Sequence, residues 1–417
     1  MKDNIFVNGP INVVRLEGKV GQTKKILYAF MDFHMDVSVQ TKCDDVRSKD
    51  MNTYLAETFD EISKQNKTYD FFLEQYPTFI PHGTQHPTHQ YQSKLKYIWE
   101  VSQLFTKSFT IDEKNMVGQS KNFKNVRLHY MDIRDYVQRG EDYPLEYKIN
   151  DHIHKIIVSG YIIPDDIIHI KDGLAIEMAN VTTIYDIFYK DSIAEKVELK
   201  SSIPKTYEEL QKYTPDDKLN RFKSFVNKLR TRYKHDDIKR KINKIIDEQL
   251  KNAFQKYYDC VAELHKFLDQ INPQLTDITG NKLYNDQNLG PDYGYPQYKY
   301  LEILTKLSYH NSKKFEFTMS IYVLIVDIYF LRRFLDKDYV MNGIIYTGAS
   351  HSTNYIYYLV RDFGFKITHY SYLQDDNIEN ITKIIKKAKS SRELDNYFWP
   401  PYLMQCSNMT NFPRRFE

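Results

Sequence analysis

A chain of 417 residues is long enough to bury one large core or two to three ordinary ones, so size permits an enzyme. Lys and Arg total 58 against 55 Asp and Glu, and a net charge of +3 excludes a global field for holding nucleic acid or an anionic membrane. The three cysteines, Cys43, Cys260 and Cys406, are odd in number and far apart, which argues against a disulfide framework and a Cys-based zinc ribbon and suits a reducing, intracellular compartment.

The first residues lack the basic start and apolar run of a secretory signal, so a cytoplasmic location is expected. Ile11 to Leu16 and Ile26 to Phe33 are nearly continuous apolar runs rich in β-formers, the pattern of strands covered on both faces. Ser48 can cap a helix carrying Met51, Tyr54, Leu55, Phe59 and Ile62 at helical spacing, and Tyr69 to Leu73 reads as the next buried strand. A Pro- and His-bearing loop from Pro77 to Gln90 precedes a helix with Leu95, Ile98, Trp99, Val101, Leu104 and Phe105, then a strand from Val126 to Ile133.

From about Tyr136 to Tyr309 the pattern turns helical or irregular. The basic stretches at 228–234 and 239–241 within it read as a solvated helix face. The apolar helix from Phe315 to Leu335 is interrupted by Asp327 and too short for a membrane span. It leads to a strand at Gly343 to Thr347, a helix from Thr353 to Phe363 and a strand from Lys366 to Tyr372. The expected fold is α/β: a mostly parallel sheet with flanking helices, interrupted by a large helical insertion. Residues 1–137 and 311–390 would form the two parts of the core, 138–310 the insertion and 391–417 a C-terminal tail, with insertion or tail open to a protein partner.

Ligands in parallel sheets bind beyond the carboxyl ends of the strands, where loops and helix N-termini converge. Asp32, His34 and Asp36 lie at or past the end of the Ile26 strand, Glu74 follows the Tyr69 strand, and Asp132, Arg134 and Asp135 occupy that end of the Val126 strand. His351 follows the Gly343 strand, next to Ser350. His34, Glu74 and His351 are a two-imidazole, one-carboxylate set able to hold a divalent metal such as Mn, Co or Zn and leave a position for water. Asp327, in its apolar helix, should find a cation, Arg332 or Arg333.

Met31-Asp32-Phe33-His34 after one strand, Leu73-Glu74 ending another and Gly348-Ala349-Ser350-His351 after a third resemble the erythromycin esterase, ChaN, TraB and TIKI superfamily. Its members show Gly-X-X-His after the first strand, Glu after the second and Gly-X-X-His near the end, usually preceded by an Arg, where Arg332 or Arg333 stands. Met31 replaces the first Gly, which points away from esterase chemistry. The chain is also similar to uncharacterised proteins of large DNA viruses, which would place it in host cytoplasm or virion. The resemblance implies a TIKI- or TraB-type metal-dependent hydrolase, with a peptide or small molecule as substrate. His34 and His351 would ligate the metal, Glu74 would ligate it or act as base, and Arg333 or Arg134 would stabilise negative charge. Asp32 would orient His34, and Asp36, Asp132, Asp327 and Ser350 would support the site. The competing expectation is an inactive structural or interaction protein that keeps the fold, and haem in the same cleft is a lesser third.

His82, His86 and His89 read as a surface loop, His129 as a core or edge histidine and Cys43 as a buried thiol. Walker A loops, nucleophile elbows, HisGluXXHis helices and dinucleotide fingerprints do not occur.

Overall fold

The structure is a computed structural model describing residues 4–34, 42–75, 97–112, 117–134, 145–160, 162–190, 215–280, 294–402 and 404–417. After the short β1 (Phe6–Asn8), β2 (Asn12–Val20) and β3 (Thr23–Asp32) form a hairpin, in register from Asn12 opposite Met31 to Val20 opposite Thr23. Gly21 turns it at φ +57°, a left-handed conformation that costs glycine little. β4 (Lys49–Asp50) leads into α1 (Met51–Ile62), whose Met51, Leu55, Phe59 and Ile62 form one buried stripe. β5 (Tyr69–Leu73), α2 (Tyr97–Ser108), β6 (Thr110–Asp112), β7 (Val117–Gln119) and β8 (Val126–Tyr130) complete the first half.

Helices follow: α3 (Leu145–Ser159), α4 (Pro164–Tyr189), α5 (Pro215–Thr231) and α6 (Asp236–Ile245). α6 continues through a π-turn at Ile246–Leu250 into α7 (Lys251–Gly280), and α8 spans Gly294–Leu335. Their distal ends share a small core of Ile149, Ile153, Leu174, Leu264 and Leu307, while Ile321 to Leu335 of α8 belongs to the main core. α8 thus runs unbroken from the helical region onto the sheet and carries Asp327 there. Between α4 and α8, Lys314 pairs with Glu177 at 2.8 Å with both side chains inaccessible, and Thr318 donates to the other Glu177 oxygen.

β9 (Asn342–Gly348), α9 (Ala349–Arg361), β10 (Lys366–Tyr370), α10 (Ile378–Lys387), α11 (Asp395–Phe398) and β11 (Cys406–Asn408) close the chain. The main sheet has the order β10-β2-β3-β9-β5-β8-β7-β6, and β11-β1-β4 form a second, three-stranded sheet. Side chains alternate across the main sheet with a period of two. Leu27, Ala29, Met31 and Phe72 face the layer of α8 and α9, while Tyr28, Phe30, Phe71 and Tyr346 face α1, α2 and the last residues of the chain.

The expectation of a mostly parallel sheet is overturned. Among the described residues of the main sheet only β3-β9, β9-β5 and β5-β8 pair parallel, and the four outer pairings, β10-β2, β2-β3, β8-β7 and β7-β6, are antiparallel. A strand buried on both faces carries the same apolar run in either orientation, so composition alone does not set direction. The direction signal was the Gly21-Gln22 turn, which joins the two apolar strands too closely for a crossover. Within the segment expected to be a C-terminal tail, 391–417, Phe398, Phe412 and Phe416 are buried.

Candidate active site at the parallel strand ends

The parallel strands β3, β9, β5 and β8 are neighbours, so their carboxyl ends line one edge at about 4.8 Å per strand. His34 stands two residues past β3, Glu74 directly after β5, Arg134 shortly after β8, and His351 on the first turn of α9, which follows β9 without a break. The three residues expected to converge do so on one carboxylate. Glu74 Oε2 lies 3.4 Å from His34 Nε2, and Glu74 Oε1 lies 3.2 Å from His351 Nε2. The Gly348 N–H donates to Oε2 at 2.8 Å and an Arg134 N–H donates to Oε1 at 3.2 Å. Glu74 therefore exchanges water for four protein partners.

Each imidazole is held from behind by its own aspartate. His34 Nδ1 lies 2.8 Å from Asp32 Oδ2, and His351 Nδ1 lies 2.6 Å from Asp327 Oδ1. Asn354 donates to the second oxygen of Asp327, and Gln405 donates to Asp32 Oδ1 at 3.1 Å. Asp132 accepts the Arg134 Nε–H at 2.8 Å, which aims the guanidinium at Glu74. His34 adopts φ +52°, a left-handed conformation uncommon outside glycine, two residues past β3. A Cβ at Gly348 would sit 3.0 Å from His34 Nε2, tight enough to push that ring back by a few tenths of an ångström.

Four carboxylates, Asp32, Glu74, Asp132 and Asp327, thus meet one guanidinium and two imidazoles. Burial opposes charging His34, but Asp32 and Glu74 outweigh it and raise its pKa to about 9. Burial is likewise outweighed at His351 by Glu74 and Asp327, which raise it to about 10. Burial alone would push Glu74 up, yet His351 and His34 hold it well below the usual carboxylate range. Burial raises Asp327, partly offset by His351. At neutral pH the resting cluster holds two imidazoliums around an ionised Glu74. His34, with about a third of its side chain exposed, is the ring that solvent reaches, and His351 is buried.

Other expected residues fall elsewhere. Asp327 pairs with His351, not with the arginines suggested by its helix, because α8 turns this face toward α9. Arg333 contacts His129 Nδ1 at 3.1 Å, and His129 Nε2 lies 2.6 Å from the buried Asp70, which also takes a paired contact from Arg127. Burial lowers the His129 pKa despite Asp70, consistent with a neutral ring relaying Arg333 to Asp70. Ser350 is exposed on the first turn of α9. Asp36, Asp135, His82, His86 and His89 lie outside the described residues. Among the described residues no group of three or more His, Cys, Asp or Glu is placed to hold a metal ion, and both Nε2 atoms meet Glu74 directly.

Two features were not read from the sequence. Gln405, fully buried, reaches Asp32 from a position 373 residues away. Cys43 and Cys406, treated as unlinked thiols, form a disulfide beside it, leaving Cys260 as the free, buried cysteine. Their parity and separation carried no pairing signal, since the third cysteine masks an even count.

Residues 5–417 match a family of unknown function, DUF5847. The chain belongs to the DUF5847 family. Three uncharacterised proteins of Acanthamoeba polyphaga mimivirus resemble this DUF5847 chain over nearly its whole length. Protein R706 is 35% identical over 99% of the chain and 97% of its own length. Protein R161 is 34% identical over 100% and 99%, and protein R160 is 34% identical over 98% and 97%. The likeness to proteins of a large DNA virus therefore holds, whereas nothing in these matches links DUF5847 to the erythromycin esterase, ChaN, TraB and TIKI superfamily. No solved structure matches the chain. Among the described residues no helix is long and apolar enough to cross a membrane.

Proposed function

We propose that the DUF5847 chain is a hydrolase of ester or amide bonds that works by proton transfer through the Glu74 cluster. The observation that carries this reading is Glu74 held between two imidazoles, each backed by its own aspartate. A buried acid network of that kind is costly to build for stability alone. His34, in its neutral form, takes the proton of a water that attacks the substrate carbonyl, and that proton then passes to the leaving group. The His351 imidazolium and the Arg134 guanidinium offset the negative charge that develops. Since the two rings titrate near 9 and 10, turnover should rise with pH through about 9, as one proton leaves, and fall above about 10.

A divalent cation is the second reading, favoured because both Nδ1 atoms are taken by aspartates while both Nε2 atoms face one carboxylate. It would replace the two Nε2 protons, require these direct contacts to part, and supply an acidified water. For a chain with viral relatives the host cytoplasm and the virion are the two candidate locations, and the Cys43–Cys406 disulfide favours the virion.

The test is hydrolysis of chromogenic esters and fluorogenic peptides by the full chain between pH 7 and 10.5, with and without chelator and with added Mn, Co or Zn. Chelator-resistant turnover with an alkaline optimum, abolished by His34→Ala and Glu74→Gln, supports the proton-transfer reading. Turnover that needs the metal moves the assignment to the cation. A folded, metal-free protein that turns over none of these substrates leaves the scaffold reading standing.

A further inference from the structure

The segment that completes the Asp32–His34 pair comes from the far end of the chain and is tied there covalently. Gln405 has no accessible surface, donates to Asp32 Oδ1 at 3.1 Å, and its backbone carbonyl accepts the Gly9 N–H at 2.9 Å. The next residue, Cys406, pairs with Asn8 in the β1–β11 ladder and is bonded through its sulfur to Cys43. The Cys43 backbone N–H in turn donates to the Asn8 side-chain oxygen at 2.9 Å. Asn8 also donates to Ser48 and Asp50, which lie just ahead of α1. Asn8, the disulfide and Gln405 thus form one knot joining the segment around Cys43 to the C-terminal strand.

β11 has three residues and pairs with one neighbour, the three-residue β1. Edge strands this short are marginal on their own hydrogen bonds. A cross-link 363 residues long in sequence removes much of the freedom that such a strand would otherwise have to leave. Cys43 and Cys406 are both partly exposed, so a soluble dithiol can reach them.

We propose that Gln405 is a positioning residue of the Glu74 site, and that the Cys43–Cys406 disulfide holds it against Asp32, so that the site is fully assembled only in the oxidised chain. The proposal rests on the hydrolytic reading only for what the site does, since the contacts themselves are independent of turnover. Opening the tie is a two-electron exchange. A dithiol such as dithiothreitol attacks one sulfur as thiolate, and its second thiol closes a cyclic disulfide. Cys43 and Cys406 are left as two thiols carrying the two protons.

The experiment combines thiol counting with nitrogen NMR of the histidine rings in the full chain. Denatured without reductant, the protein should alkylate once, at Cys260, and three times after reduction. In folded protein, Gln405→Leu should displace the His34 ring signals and leave those of His351, across Glu74, in place. A loss of packing would disturb both rings. Reduction of the wild-type chain should move the His34 signals toward their positions in Gln405→Leu, and reoxidation should return them. This second arm needs no substituted protein to fold. Three alkylations without reductant, or His34 signals that ignore either Gln405→Leu or reduction, overturn the proposal. Absence of hydrolysis in the oxidised wild type leaves these readouts intact and counts against the hydrolytic reading alone.

Discussion

Glu74→Gln removes the one charge that all the inner contacts share. The amide keeps the shape of the side chain but places an NH2 where a carboxylate oxygen met donors from Arg134 and His351 or from Gly348 and His34. Removing one partner from a buried charged network costs roughly 3–5 kcal/mol. Unfolding entropies of roughly 2.1 cal/mol/K per residue scale to about 0.9 kcal/mol/K for 417 residues, so the melting temperature should fall by about 3–6 °C. The effect should depend on pH with a definite sign. Both histidines have folded pKa values raised above 6.5, to about 9 and about 10. Their contribution is complete below about pH 6 and is lost as pH rises through 9 to 10. Wild-type protein should therefore lose thermal stability between pH 8 and 10.5, and Glu74→Gln, whose rings have lost their main shared partner, should lose less. Scanning calorimetry at pH 6, 8, 9 and 10.5 reads both quantities. Equal melting temperatures at pH 7, or parallel decline in the two proteins, would refute the shared-charge description of the cluster.

In Gly348→Ala the new Cβ would stand 3.0 Å from His34 Nε2, while the backbone φ of −52° suits alanine. Stability should change by only about 1 kcal/mol or less, while hydrolysis, read as kcat on whichever substrate is found, should drop at least tenfold because His34 must retreat. Lys314→Met leaves Glu177 buried without its cation and should cost roughly 3–5 kcal/mol in urea unfolding. Adding Glu177→Leu should restore most of that loss, and a double variant as unstable as the single one would show that packing, not the stranded charge, sets the cost.

Local patterning was enough to say which residues could meet. His34, Glu74, Asp132, Arg134 and His351 each lie within a few positions of a recognisable strand end, and local apolar runs bounded by polar residues are a short-range signal. Since β3, β9, β5 and β8 do run parallel, that signal was enough to place these residues on one edge. Their actual partners were set by long-range packing. Asp327 could have matched the arginines a turn or two along α8, but helix packing turned it to His351, and Arg333 went to His129. The Gln405 contact to Asp32 and the Cys43–Cys406 bond span 373 and 363 residues, and nothing local to either end encodes the other. Strand direction at the sheet's flanks could not be read from the apolar runs, because burial selects the same side chains whichever way a strand runs, and only the two-residue Gly21-Gln22 turn betrays the antiparallel β2-β3 pair. Composition fixes what a segment will bury. Which surface it buries against is a property of the whole chain, settled when distant segments compete for the same neighbours.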